Sequence, residues 1–207
     1  ELLKATPPAK PPTTPSVKRL KSAHISLQFD DTSTQHTADI TAIFSRGYDV
    51  ITGTEGGPGA GNTAAELKRI GTAKGYLLQV TNRYGTWVAV KKSLVKDSWK
   101  TGAEFVLLSS SKYIPKPSGS WGDKGIVWAS WNMGAEFGTV SVGSVHYLTT
   151  GGAGAALKKK TDIEYSKAIQ SWANTHGSGE RLAFIGGDFN LSDKTHDVFY
   201  GVAKFDT

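Results

Sequence analysis

From Ser22 onward the chain switches repeatedly between two hydrophobic periods. His24-Ile-Ser-Leu-Gln-Phe29 alternates with period two and predicts a strand with Ile25, Leu27 and Phe29 on one face. Thr37 to Arg46 places Ile40, Ile43 and Phe44 on one helical stripe, with Gly47 positioned to close the helix. Asp49–Thr54 reads as a buried strand that runs into Glu55 and the glycine-rich loop Gly56–Asn62. Thr63-x-x-Glu66 has the form of a capping box and predicts a helix with Leu67 and Ile70 inside. Tyr76–Thr81 and Thr86–Val90 predict a hairpin around Asn82–Gly85, and further strands are expected over Glu104–Ser109, Gly125–Trp131 and Thr139–Tyr147. In the last of these Val140, Val142, Ser144 and His146 share a face. Thr161-x-x-Glu164 predicts the start of another capped helix, with Tyr165, Ile169 and Trp172 inward, and the apolar strand 182–186 follows. Strands joined partly in meanders and partly through helices predict an α/β sandwich and not a doubly wound sheet.

The first 21 residues follow neither period. Five of the eight prolines fall within Pro7–Pro15, so 1–21 reads as an extended, semi-rigid linker or tail and 22–207 as the folded domain. A linker in that place predicts a further element upstream. Charge follows the same division. Of the net +6, residues 1–22 contribute Lys4, Lys10, Lys18, Arg19 and Lys21 against Glu1 alone, and the remaining 19 basic and 17 acidic residues nearly cancel. A basic arm on an almost neutral domain can touch phosphates or simply be solvated. With 38% hydrophobic residues and no apolar run near the ~18–20 residues that span a bilayer, the domain reads as globular, with no membrane span. The absence of cysteine excludes disulfides and thiolate metal sites but leaves the compartment open, whether a secreted protein or a phage particle.

The stretch Leu182-Ala-Phe-Ile-Gly-Gly-Asp-Phe-Asn190 is the richest in candidate chemistry. An apolar strand climbs to two glycines that permit close approach, then presents Asp188 and Asn190 on one side and Phe189 on the other. A plain turn is the alternative reading. Glu55, at the end of a buried strand, is placed to hold a hard cation through oxygen, or else is a solvated loop acid. His146 ends its strand where it could donate to a phosphate oxygen, or serve as a structural group. Neither glycine-rich loop is a nucleotide cradle. Gly56–Asn62 lacks the Gly-Lys-Ser/Thr ending and has Asn62 where a third glycine belongs, and Gly151–Leu157 fails likewise at Leu157, so no cofactor-binding residues are assigned. Most of the six tryptophans read as core, with Trp121 the loop-borne exception.

The order of these pieces carries a resemblance. Gln28 on the first strand, Asp49 to Glu55, Val145-His146-Tyr147 and Gly187-Asp188-Phe189-Asn190 together resemble the endonuclease/exonuclease/phosphatase (DNase I-like) superfamily, from about Ser22 to the chain end. The resemblance implies a four-layer α/β sandwich, with two packed, mostly antiparallel or mixed β-sheets flanked by helices. It implies a Mg²⁺ (or Mn²⁺) site on Glu55 with Gln28, and a catalytic group of His146, Asp188 and Asn190. The implied activity is metal-dependent phosphodiester hydrolysis by water, as a nuclease acting on nucleic acid, DNA before RNA; inositol-phosphate or sphingolipid substrates use the same chemistry. Two departures stand out. Gln28 is a methylene longer than the family's usual Asn. The late Ser-Asp-His-like motif has no counterpart, since only seventeen residues follow Asn190, and Asp193 and His196 lie too close to it to return on a separate strand. The expectation is therefore that the chain continues beyond Thr207, borrows its last strands from another chain, or has lost catalysis. In the last case it would be a binding or structural module of a larger protein or particle such as a virion.

Overall fold

The computed structural model describes residues 20–27, 32–56, 63–81, 85–106, 124–135, 137–146, 155–177 and 181–189. The predicted linker before residue 20 therefore lies outside the described residues, as do Gln28, Asn190, Asp193 and His196. In chain order the elements are β1 (Ser22–Ser26), α1 (Ser33–Ser45), β2 (Val50–Thr54), α2 (Thr63–Ala73), β3 (Tyr76–Val80), β4 (Trp87–Lys91), β5 (Asp97–Val106), β6 (Lys124–Asn132), β7 (Thr139–His146), α3 (Ala155–His176) and β8 (Arg181–Asp188).

Two four-stranded sheets form, one in the order β1-β2-β4-β3 and the other β5-β6-β7-β8. Each is mixed: β1 pairs parallel to β2 and β7 parallel to β8, while the remaining pairs are antiparallel. The period-two pattern decides which face goes where. Ile51, Trp87 and Ala89 turn outward under Ile40, Ile43 and Phe44 of α1 and Leu67 and Ile70 of α2. Val50, Val88 and Val90 turn the other way and meet Val127, Ala129, Trp131, Val140 and Val142 between the sheets. On the far side Ile126 and Val145 pack under Ile169 and Trp172 of α3. Helices, sheet, sheet and helix make the four layers of the expected sandwich. Trp87, Trp131 and Trp172 are nearly wholly buried, one in each layer contact. Each such ring removes ~200 Å² from water, about 5 kcal/mol of driving force before chain entropy is charged against it.

Local signals were read well where they were short-range. Gly47 lies at φ +67° just after α1, as a helix-closing glycine requires. Thr32 caps the other end by accepting from the Gln35 N–H, so α1 begins four residues before the predicted start. The start of the third predicted helix differs. Thr161 lies inside α3, which begins at Ala155, because Ala155-Ala-Leu-Lys-Lys-Lys carries strong helix propensity of its own. Similarly β5 starts at Asp97, seven residues before the predicted strand, with its register shifted by a bulge between Asp97 and Lys100.

The sheets run in the same sense at the seam. Val50 meets the beginning of β7 at Val140 and Val142, and further along Ser144 Oγ donates to the Gly53 carbonyl at 3.0 Å. The carboxyl ends of β1, β2, β7 and β8 therefore share one end of the sandwich. There the spacing leaves no room for a side chain at Gly186, where a Cβ would collide with Thr52 Oγ1, nor at Gly187, where it would strike the Val145 carbonyl. Gly186→Ala is expected to lose about 1–3 kcal/mol through overpacking, read as a lower urea midpoint with unchanged m-value.

Candidate functional site

Three of the five sequence-predicted site residues are described, and all three come to this shared end. Glu55 follows β2, His146 closes β7, and Asp188 closes β8 directly beside it in the parallel register.

Glu55 is turned out of its strand by a left-handed backbone, φ +59°. A non-glycine residue there costs about 1–3 kcal/mol, a strain that persists only when the surroundings impose it. The surroundings here are specific. Trp87 is fully buried beneath the turn, and a Cβ at either Gly53 or Gly56 would run into its indole. The Gly56 N–H donates to the Gly85 carbonyl at 2.8 Å, which fixes the exit of the turn. Ser26 Oγ then donates to Glu55 Oε2 at 3.0 Å from the end of β1, aiming the carboxylate across the sheet end. Asp49, at the opposite end of β2, is structural. It accepts from the Lys21 N–H at 2.9 Å and pairs with Lys91 Nζ at 3.2 Å.

His146 and Asp188 form the second half. They share the inner face with Ser144 and Gly186, as the alternation of β7 and β8 requires. His146 is 8% exposed, whereas the Asp188 side chain is 39% exposed, so the imidazole is a packed wall and the carboxylate is open to a ligand. Their nearest atoms, Nε2 and Oδ2, lie 4.0 Å apart, within ion-pair reach and beyond hydrogen-bond distance. Phe189 packs with the apolar group under α3, on the opposite side from Asp188, as expected.

Sequence reasoning missed His24, Ser26 and Thr52. His24 Nδ1 lies 3.0 Å from Thr52 Oγ1. Burial lowers the proton affinity of the His24 imidazole below its ordinary value, and the charge of Asp188 acts in the other direction. The signal that could have found these residues is the alternation of β1 itself. If Ile25 and Leu27 face the helices, then His24 and Ser26 must face the site.

As to metal, the oxygen donors of Glu55 and Ser26 are of the kind that hard cations take, and one or two carboxylates with water suffice for Mg²⁺. Among the described residues no group of three His, Asp or Glu side chains forms a fuller cage. Also among the described residues, no helix is long and apolar enough to cross a membrane.

No protein-family model matches the chain, and no curated protein matches it in sequence. Solved structures do. TDP2 from D. rerio complexed with a single-strand DNA product superposes with a TM-score of 0.63 at 14% identity, over 88% of this chain and 64% of that one. An endonuclease/exonuclease/phosphatase family protein from Bacteroides thetaiotaomicron gives 0.60 at 16% identity, over 88% and 68%. Sphingomyelinase C from Streptomyces griseocarneus gives 0.62 at 19% identity, over 89% and 68%. The chain thus spans about two thirds of the length of the structures it matches. Two mixed four-stranded sheets packed face to face with helices outside, superposing on these structures, give the chain the DNase I-like fold.

Proposed function

We propose that this protein is a divalent-metal-dependent phosphodiester hydrolase acting on nucleic acid, DNA before RNA. The observation that carries the reading is that Glu55, His146 and Asp188 stand at the ends of three strands whose carboxyl ends lie on the same side of the sandwich. The left-handed strain at Glu55 and the burial of the His146 imidazole both cost stability at this end, as functional sites often do. The basic segment before the domain supports a polyanionic substrate, as does the DNA product held by the D. rerio structure.

In this reading Glu55, with the amide of Gln28, would hold Mg²⁺ or Mn²⁺, whose chemistry is to polarise the phosphoryl group and stabilise the departing alkoxide. Ser26 keeps Glu55 aimed through its hydroxyl. Asp188 takes the proton of the attacking water as the new P–O bond forms. The P–O bond to the leaving sugar oxygen breaks, that oxygen takes a proton from solvent water and leaves as the alcohol, and Asp188 returns its proton to solvent. His146 directs Nε2–H toward the phosphate oxygens, where a fixed donor in a packed wall costs no reorganisation. Asn190, which lies outside the described residues, is assigned an amide donor to the same group from the sequence resemblance alone.

The test is hydrolysis of single-stranded and plasmid DNA, RNA and a simple phosphodiester by the full-length protein, with Mg²⁺ or with chelator. Asp188→Asn is expected to lower kcat by about 10²–10⁴-fold, the span of a lost general base. His146→Gln is expected to lose about 10²–10³-fold, as for a lost oxyanion donor. Chelator should abolish turnover. If none of the substrates is cleaved with metal present, the chain is a binding module on this fold and not a hydrolase. Glu55→Gly offers a separate check. Relief of the left-handed strain predicts a melting temperature equal to or above that of the wild type while turnover is lost. A marked fall in melting temperature would mean that Glu55 is structural.

A further inference from the structure

The amino ends of β1, β2, β7 and β8 share the end of the sandwich opposite Glu55 and Asp188, and cations gather there on the side of the first sheet. Backbone hydrogen bonds fix the turns that carry them. The Lys92 N–H, just past β4, donates to the Gly75 carbonyl at 2.9 Å, which sets Lys92 beside Lys74 at the entry to β3. The Lys96 N–H donates to the Asn132 carbonyl at 3.0 Å, where β6 ends, and the Val95 N–H donates back to the Lys92 carbonyl at 3.2 Å. The turn from Lys92 to Lys96 thus bridges the ends of the two sheets. Lys91 Nζ donates to the Gly47 carbonyl at 2.6 Å, next to Arg46. Among the described residues the acids at this end are Asp49 and Asp97. Part of the charge has a structural use. Lys91 pairs with Asp49 at 3.2 Å, and Arg46 and Lys74 follow the carboxyl ends of α1 and α2, whose partial negative charge they complement. Lys92 and Lys96 have no such use. Both are exposed, and among the described residues neither forms an ion pair. Beside them Val95 and Trp99 pack into the layer between the sheets, with the Trp99 and Trp131 ring centroids 6.3 Å apart, so the two lysines stand on a fixed mount.

We propose that this face is a second nucleic-acid contact, separate from the catalytic end, in which Lys92 and Lys96, flanked by Lys74 and Arg46, bind backbone phosphates. The choice of nucleic acid among polyanions rests on the hydrolase reading; the charge of the face does not. β7, eight residues long, runs from this end to His146, so the two ends stand ~26 Å apart. A phosphate held here is therefore not the one being cleaved. A long strand bound at both ends is tethered, and the second contact becomes intramolecular, whereas a small phosphodiester gains nothing from it. The basic segment 1–21 joins the domain at this same end, through Lys21, whose N–H donates to Asp49 at 2.9 Å. Chain connectivity thus adds Lys18 and Arg19 to the neighbourhood of the face. A membrane surface fits less well, because interfacial binding joins charge to buried apolar area. Val95 and Trp99 are turned into the core, and the exposed large hydrophobic among the described residues, Leu182, stands on β8, the edge of the second sheet away from β5.

The test is binding of a labelled single-stranded DNA oligonucleotide to the full chain, followed by fluorescence anisotropy across a salt series with chelator present, so that no turnover intervenes. The double variant Lys92→Gln, Lys96→Gln is expected to bind on the order of 10-fold more weakly, and its slope of log affinity against log salt to fall by roughly 1.4, the loss of two phosphate contacts to a single strand. The pair Lys92→Arg, Lys96→Arg should bind as the wild type does. Lys68→Gln with Lys167→Gln removes the same charge from the outer helices α2 and α3 and should change affinity less than about 2-fold, since charges beyond a Debye length are screened. Equal losses in the two Gln pairs would mean a response to net charge alone and overturn the proposal, as would wild-type affinity and slope in the Lys92→Gln, Lys96→Gln protein. Binding to phosphatidylserine vesicles that depends on Lys92 and Lys96, with no binding of DNA, assigns the face to a membrane and also overturns it. The hydrolase reading is judged separately. If the binding result is as expected but no substrate is cleaved, that reading fails and the second contact stands. If DNA is cleaved while the Lys92→Gln, Lys96→Gln protein binds it as the wild type does, the second contact fails and the hydrolase stands.

Discussion

The close approach of the two sheets at one end is the constraint on which the rest of this molecule depends. Valines fill the space between the sheets over most of their length, and the layers there sit apart by the depth of their side chains. Toward the carboxyl ends of the strands the filling changes to small and polar groups. Ser144 bonds to the Gly53 carbonyl, and Gly186 rests directly on Thr52. Each of these contacts replaces an interdigitated apolar pair by backbone against hydroxyl, which is shorter and directional. This brings β7 and β8 down onto β1 and β2, so that residues from separate sheets come to the same end.

That geometry explains why the acids differ in their setting. Glu55 is held by what lies below it: the indole of Trp87 under the turn, the Gly56–Gly85 bond at its exit, and a serine hydroxyl from the neighbouring strand. Asp188 lies beside an imidazole, that of His146 in register on β7, 4.0 Å from Nε2 to Oδ2. In the proposed reading, a rigid mount suits Glu55 as the acid that would keep a fixed coordination. In the same reading, the more exposed face of Asp188 suits a carboxylate that would meet water and exchange a proton. The strain at Glu55 and the burial of His146 are affordable because three tryptophans and the valine layer supply the folding energy elsewhere.

Much of the architecture was legible in the sequence because it depends on period. Alternating valines in 140–146, the stripe Ile40, Ile43, Phe44, and the apolar run before Gly186 each commit a face to the core wherever the chain goes, and the strands and helices followed. Boundaries were less legible. α3 begins six residues before its apparent capping box, and β5 extends seven residues before its apolar segment, since propensity and pairing to β6 carry an element past its hydrophobic signal.

The sequence by itself determined which faces are apolar, where glycine must admit a close neighbour, and that Glu55, His146 and Asp188 each stand at the end of a strand. Only the tertiary structure decided that those three ends coincide, because parallel pairing of β7 with β8 and the stacking of β2 beneath them join residues more than ninety positions apart. The same stacking brought His24 and Ser26 into the site. On a lone strand they are two polar residues on an unassigned face. Only when β8 crosses above Thr52 does that face meet the second sheet.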